Sequence, residues 1–240
     1  MAYDPYTTFL RMMAVSVHQT FRPLFLVVSL GNPPPHYDCL HSAGHFALAS
    51  LQKLLGPSQP PFKSERYGNK SCLASISEKY SLMQSPTEMN ISGPWIARAY
   101  RDVMKERGLR PSELSLVVVH DDLDKYLGDV KILRWSASDR GHNGVKSAMV
   151  GLNPTRFAGG RWSRISIRID RPKDRDPEAV STYVLKKMTR YQKDVINKRV
   201  GPAVLDCLHE LEEEWKSDYD TAAAMRSPKR PPKRSPKTNV

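Results

Sequence analysis

Cysteine is scarce in these 240 residues: Cys39, Cys72 and Cys207 are an odd set without paired spacing, which argues against a disulfide framework and against a zinc ribbon. A reducing compartment fits. Long apolar runs are missing too. No stretch approaches the roughly 20 residues of a membrane helix, and mean hydropathy is −0.52, so no membrane partner is expected. No serine or cysteine stands at a nucleophile elbow, which favours direct attack by activated water over a covalent intermediate. Acid is missing from one end. Residues 226–240 carry Arg226, Lys229, Arg230, Lys233, Arg234 and Lys237 and no Asp or Glu, so six of the twelve net charges sit on a Pro-rich tail that cannot bury apolar surface.

What is present is enough for one folded unit. With 40% hydrophobic residues the chain can bury a core, and its length suits a single α/β domain with tails. We expect an N-terminal extension over 1–22, a domain over 23–216 and a basic disordered tail over 217–240. The extension has Arg11 and Arg22 against one acid, Asp4, a mitochondrial-presequence pattern, whereas the tail's cations favour nucleus or cytosol. A mitochondrial or cytoplasmic location is the expectation. The surplus of cations outside the tail favours a nucleic-acid partner over a neutral metabolite.

Apolar runs alternate with helical periodicity. Leu24–Leu30 reads as a buried strand, His41–Leu55 as a helix, Ser71–Ser77 with Tyr80–Gln84 as a strand pair, and Ser92 to about Gly108 as a helix. Strands follow at Leu114–Val119, Val130–Trp135 and Arg164–Ile169, with Ile165, Ile167 and Ile169 on one face. Helices complete the pattern at His142–Leu152, Asp176–Lys187 and Tyr191–Trp215. This order predicts a three-layer α/β/α sandwich around a mixed, partly parallel sheet, with ligands beyond the carboxyl ends of the strands.

Polar punctuation falls at those ends: Gly31-Asn32-Pro33, His41-Ser42-Ala43-Gly44, Met89-Asn90-Ile91-Ser92-Gly93, His120-Asp121-Asp122-Leu123-Asp124 and Gly141-His142-Asn143-Gly144. Histidine has the pKa for a general base at neutral pH. Asp121, ending a neighbouring strand, could orient His41 as the carboxylate does in hydrolytic triads. The amide of Asn32 offers a donor and an acceptor for water or a carbonyl, and Asn90 and Asn143 offer the same to a peptide backbone. Plainer roles stand beside these: a helix-start histidine as a cap, Asp121 as a turn former, Asn32 and Asn143 as loop residues, and His120 and His142 as structural.

In this order the segments resemble the bacterial-type peptidyl-tRNA hydrolases, from Leu24 to Leu211, in what reads as a eukaryotic member. The resemblance implies hydrolysis of the ester joining peptide to tRNA, without cofactor or metal. It implies His41 as base, Asp121 as its partner, Asn32 as the third catalytic residue, and Asn90 and Asn143 as grips on the substrate. Tyr37 and Met89 are further candidate substrate contacts, and Arg134, Lys146 and Arg164 candidate tRNA phosphate contacts, in a monomer whose partner is peptidyl-tRNA. Departures surround this set. Pro34 stands for a glycine, Leu40 for an arginine, Ser42 for an asparagine, and Ser136-Ala137-Ser138-Asp139-Arg140 for a glycine-rich loop. Arg168 and Asp170 replace small residues, and Phe157–Arg161 reads as an insertion. Such changes alter gating more readily than they remove a base, so lowered activity is expected rather than none. A reading of another class is a weakened relative serving as an RNA-binding or splicing cofactor, a role that has no need of a general base.

Overall fold

The computed structural model describes residues 21–153, 155–174 and 176–226. In chain order the elements are β1 (Phe25–Ser29), α1 (Ala43–Leu54), β2 (Lys63–Tyr67), β3 (Lys70–Ile76), β4 (Tyr80–Gln84) and α2 (Ser92–Arg107). Then follow β5 (Ser115–Asp122), β6 (Val130–Arg134), α3 (Asn143–Gly151), β7 (Arg161–Arg168), α4 (Pro177–Leu185), α5 (Arg190–Val195) and α6 (Gly201–Arg226). The seven strands form one sheet in the order β2-β3-β4-β1-β5-β7-β6. Its centre is parallel, β1 with β4 and β5 and β5 with β7, and both margins are antiparallel.

Strands buried on both faces need apolar residues at every position, and β1 and β5 supply them: Phe25 to Val28 and Leu116 to Val119 are all essentially buried. Alternate residues go to opposite cores. Phe25, Val27, Val117, Val119, Ile165 and Ile167 face a layer containing Leu48, Leu51, Val204 and Leu208 of α1 and α6. Leu26, Val28, Leu116 and Val118 face Trp95, Tyr100 and Val103 of α2 and Val145 and Ala148 of α3. The three-layer α/β/α sandwich is therefore present.

Three expectations are revised. Strand β2, Lys-Ser-Glu-Arg-Tyr, was not foreseen: it is an edge strand, largely exposed, held by pairing to β3 and not by an apolar face. Strand β7 begins at Arg161, ahead of the expected Arg164, and just before it Phe157 is buried with its ring 5.2 Å from Tyr100 and 5.8 Å from Trp162. The C-terminal boundary also moves. Helix α6 continues through 217 to Arg226, where Tyr219 packs on Phe21 at 5.4 Å. Phe21 also meets Trp215 edge-on at 5.7 Å, and Arg22 pairs with Glu78. The remaining tail and residues 1–20 lie outside the described residues. Among the described residues no helix is long and apolar enough to cross a membrane.

Candidate active site

Because β1 and β5 are parallel neighbours, with Ser29 opposite Val119, their polar sequels emerge at the same edge of the sheet. After β1 the chain turns through Gly31-Asn32-Pro33 and returns as a 3-10 turn, Leu40–Ser42, ahead of α1. That return is clamped: Asn32 N donates to Ser42 Oγ at 2.9 Å, and Ser42 Oγ donates to His36 O at 3.2 Å. Gly44 lets α1 start directly over the strand ends. A Cβ there would lie 2.8 Å from both Leu30 O and Val119 O, so a larger residue would lift His41 away from β5.

His41 is thereby set above the end of β5, where Asp121 is buried to 1% exposure. Nδ1 of His41 lies 2.9 Å from each carboxylate oxygen of Asp121. On the other side Nε2 of His142 lies 2.9 Å from Asp121 Oδ1. Nδ1 of His142 accepts the backbone N–H groups of Gly144 and Val145 at 3.1 and 3.2 Å, which assigns the ring proton to Nε2 and makes His142 both the N-cap of α3 and a donor to Asp121. His41 gives its Nδ1 proton to the same carboxylate. Its Nε2 keeps a free lone pair, the atom a general base uses.

The charges follow from this packing. Burial alone would raise the Asp121 pKa, but His41 and His142 outweigh it and hold the carboxyl well below its usual range. Burial disfavours protonated His41, yet the charge and hydrogen bond of Asp121 win and raise its pKa above 6.5. His120, fully buried, is pushed down to about 3, by burial first and by His142 second. It donates from Nδ1 to Asp121 O at 2.7 Å and stays neutral. His41, Asp121 and His142 offer metal-ligand atoms within 4.8 Å of one another. As bonded here, the ring protons of both histidines are directed at the carboxylate, the pattern of a proton-handling centre.

These groups open into a cavity of about 730 Å³ whose walls include Asn32, Met89, Asn90 and Asn143 together with Val180 and Val184 of α4. Residues 26–232 match the family model described as peptidyl-tRNA hydrolase. The chain belongs to the peptidyl-tRNA hydrolase family. It is 34% identical over 186 residues to a peptidyl-tRNA hydrolase of Geobacillus kaustophilus, covering 76% of this chain and 90% of that one. It is 32% identical over 182 residues to one from Sulfurihydrogenibium, covering 74% and 85%. The peptidyl-tRNA hydrolase structure from Acinetobacter baumannii shares the fold with a TM-score of 0.54 at 21% identity, over 79% of this chain and 94% of that one.

Of the residues singled out from sequence, the family fold gathers His41, Asp121, Asn32, Met89, Asn90 and Asn143 at one cavity, with Arg164 also on its wall. Tyr37 is not among them. Its hydroxyl donates to Gln84 at 2.9 Å and its ring packs on His45 and Phe46, so it props up the turn behind the site. Arg164 is also revised. It is buried to 1% exposure, and its Nη2 donates to the carbonyls of Arg134, Ala137 and Ser138, so it supports the loop from beneath instead of meeting a surface phosphate. Arg134 and Lys146 are exposed. His142, read as structural, is bonded into the centre; its place in a polar motif did not set it apart from His120. His120, also read as structural, is buried beneath the same cavity with its Nδ1 on Asp121 O.

Several of the residues that depart from the family pattern are engaged. Ser42 is the clamp on Asn32. Arg168 pairs with Asp124 and Asp129, each at 3.2 Å, and so pins the loop after β5. The segment 136–140 is ordered by its own side chains: Ser138 Oγ accepts from Arg140 N at 3.1 Å and Asp139 Oδ1 from Gly141 N at 2.7 Å.

Proposed function

We propose that this protein hydrolyses the ester between a peptide and the terminal ribose of tRNA by attack of a water activated by His41. The observation that carries the reading is the His41–Asp121 contact at 2.9 Å, which directs the Nδ1 proton to the carboxylate and leaves Nε2 as base. Nε2 takes a proton as the water oxygen bonds to the ester carbonyl carbon. The ester C–O bond then breaks, and the imidazolium returns the proton to the departing ribose oxygen. Asp121 stabilises the imidazolium between those steps. Asn32 holds the water or the carbonyl, and Asn90 and Asn143 hold the amide groups of the N-acylated residue. An ester lacking the peptide carbonyl leaves those partners unpaired, which supplies discrimination against free aminoacyl-tRNA.

The cationic composition supports tRNA binding, with Arg134 and Lys146 as phosphate contacts. The chain works as a monomer that rescues peptidyl-tRNA in a translating compartment, mitochondrial or cytoplasmic. The test is turnover of N-acetyl-aminoacyl-tRNA by purified protein. We expect release of deacylated tRNA, slow or absent with the unacetylated ester. Binding without turnover would point to an RNA-binding relative instead.

A further inference from the structure

The wall of the cavity is strongly acidic for a site that would receive a polyanion. Glu88, Asp121, Asp122 and Asp139 are among its residues, and among the described residues the only lysines or arginines lining it are Arg140 and Arg164. Arg164 is buried, with its Nη2 held by the carbonyls of 134, 137 and 138. Arg140 is different. Its side chain is 61% exposed, and it meets Asp122 only at 3.4 Å and Asp124 only at 3.8 Å, long separations for charge-assisted bonds.

The backbone commits itself to holding that side chain in place. Arg140 has φ +49° and Gly141 φ +82°, a left-handed pair that a non-glycine residue adopts at a cost. The turn is locked by Ser138 Oγ and Asp139 Oδ1 and supported from below by Arg164. The His142 amide donates to Asp139 O at 2.9 Å, so the loop is tied directly to the residue that holds Asp121. A cation displayed in this way, at the mouth and loosely held by two carboxylates, can exchange those partners for an oxyanion of the ligand.

We propose that Arg140 is the binding residue for the phosphodiester nearest the scissile ester, the one on the 5′ side of the terminal nucleoside. The inference rests on the hydrolase reading above and deepens it. The ester's alcohol is a ribose whose other end carries that phosphate, so a substrate with its ester at His41 brings a phosphate toward the rim. Asp122 and Asp124 hold the guanidinium in the free protein, and their acidity penalises any pose in which the phosphate lies elsewhere in the cavity. Arg140 therefore favours full nucleotide substrates over their phosphate-free fragments.

The experiment compares two esters with the same acyl group, N-acetyl-aminoacyl-tRNA and N-acetyl-aminoacyl-adenosine, which has no phosphate. The readout is the ratio of kcat/KM for the first to that for the second. In Arg140→Gln this ratio should fall about tenfold, the size of one lost charge-assisted contact, and Arg140→Lys should recover most of it because a point charge still meets a phosphate. A ratio unchanged in Arg140→Gln overturns the assignment. So does an equal fall on both esters, since Arg140 would then be acting on the catalytic centre through Asp122 and the loop. If the wild-type protein hydrolyses neither ester, the hydrolase reading itself fails, and this inference fails with it.

Discussion

Asp121 and His142 are joined at 2.9 Å by a hydrogen bond whose donor has only one tautomer open to it, because the other ring nitrogen of His142 is already accepting the first amides of α3. One face of the carboxylate is thus fixed by a helix N-terminus. The other is left for His41. His41 is oriented by a carboxylate that is itself held by His142.

Replacing His41 by Ala should lower turnover of N-acetyl-aminoacyl-tRNA by about 10²- to 10⁴-fold, the usual contribution of general-base catalysis. Affinity for tRNA should change little, since the ring handles a proton and not phosphate. Wild-type turnover in this variant would refute the mechanism.

The pH profile is set by the raised pKa of His41. The base works only when neutral, so kcat/KM should lose its acid side with a midpoint above 6.5. In Asp121→Asn the charge that raises the pKa is gone and burial remains, which lowers it. The midpoint should then move below 6.5 while the maximal rate drops, because an amide can hold the wrong tautomer. An acid limb that stays in place would contradict the pairing.

His142→Ala removes a helix cap and a donor to Asp121 together. Loss of the cap should destabilise the protein by about 0.5–2 kcal/mol, read from urea unfolding. His142→Asn, whose oxygen can still cap, should recover much of that stability without recovering the rate. Equal recovery of both would mean that His142 acts on the helix alone.

Arg134 and Lys146 should separate from Arg164 in salt titrations of tRNA binding. Each exposed cation that meets a phosphate releases counterions, so Arg134→Ala and Lys146→Ala should each lower the log-log salt slope by about one. Arg164→Met should leave the slope unchanged and reduce stability, because the three carbonyls it serves lose their donor. A slope change for Arg164 alone would return it to the phosphate surface.

Acid should destabilise the fold before the carboxylates titrate. His45 and His120 are buried with pKa values pushed down to about 3, in both cases chiefly by burial, against about 6.5 in an unfolded chain. Between those values the unfolded state binds the extra protons, so stability falls as pH falls below 6.5, by about 1.4 kcal/mol per pH unit for each histidine. His41 has the opposite sign, contributing stability that is lost as pH rises above 6.5, and so leaves this acid slope alone. Unfolding free energies measured from pH 6 to 4.5 should show the slope, and His120→Gln should remove about half of it.

Much of this molecule was legible in one dimension. The doubly buried strands announce themselves because a strand covered on both faces must be apolar throughout, as Phe25–Val28 and Leu116–Val119 are. The candidate site residues announce themselves because strand ends and helix starts are where polar groups escape the core, and Asn32, His41, Asp121 and Asn143 sit at such places. Partner choice is another matter. Nothing in the string distinguishes Arg134, exposed, from Arg164, buried under three carbonyls, since both are arginines on adjacent strands. Nor does it separate His142, bonded to Asp121, from His120, whose Nδ1 serves a backbone carbonyl. Tyr37 lies close in sequence to Asn32 yet faces Gln84. Periodicity and turn chemistry are local, so sequence carries them; which charge is buried, and against what, depends on register between β5, β7 and β6, and only the folded sheet decides it.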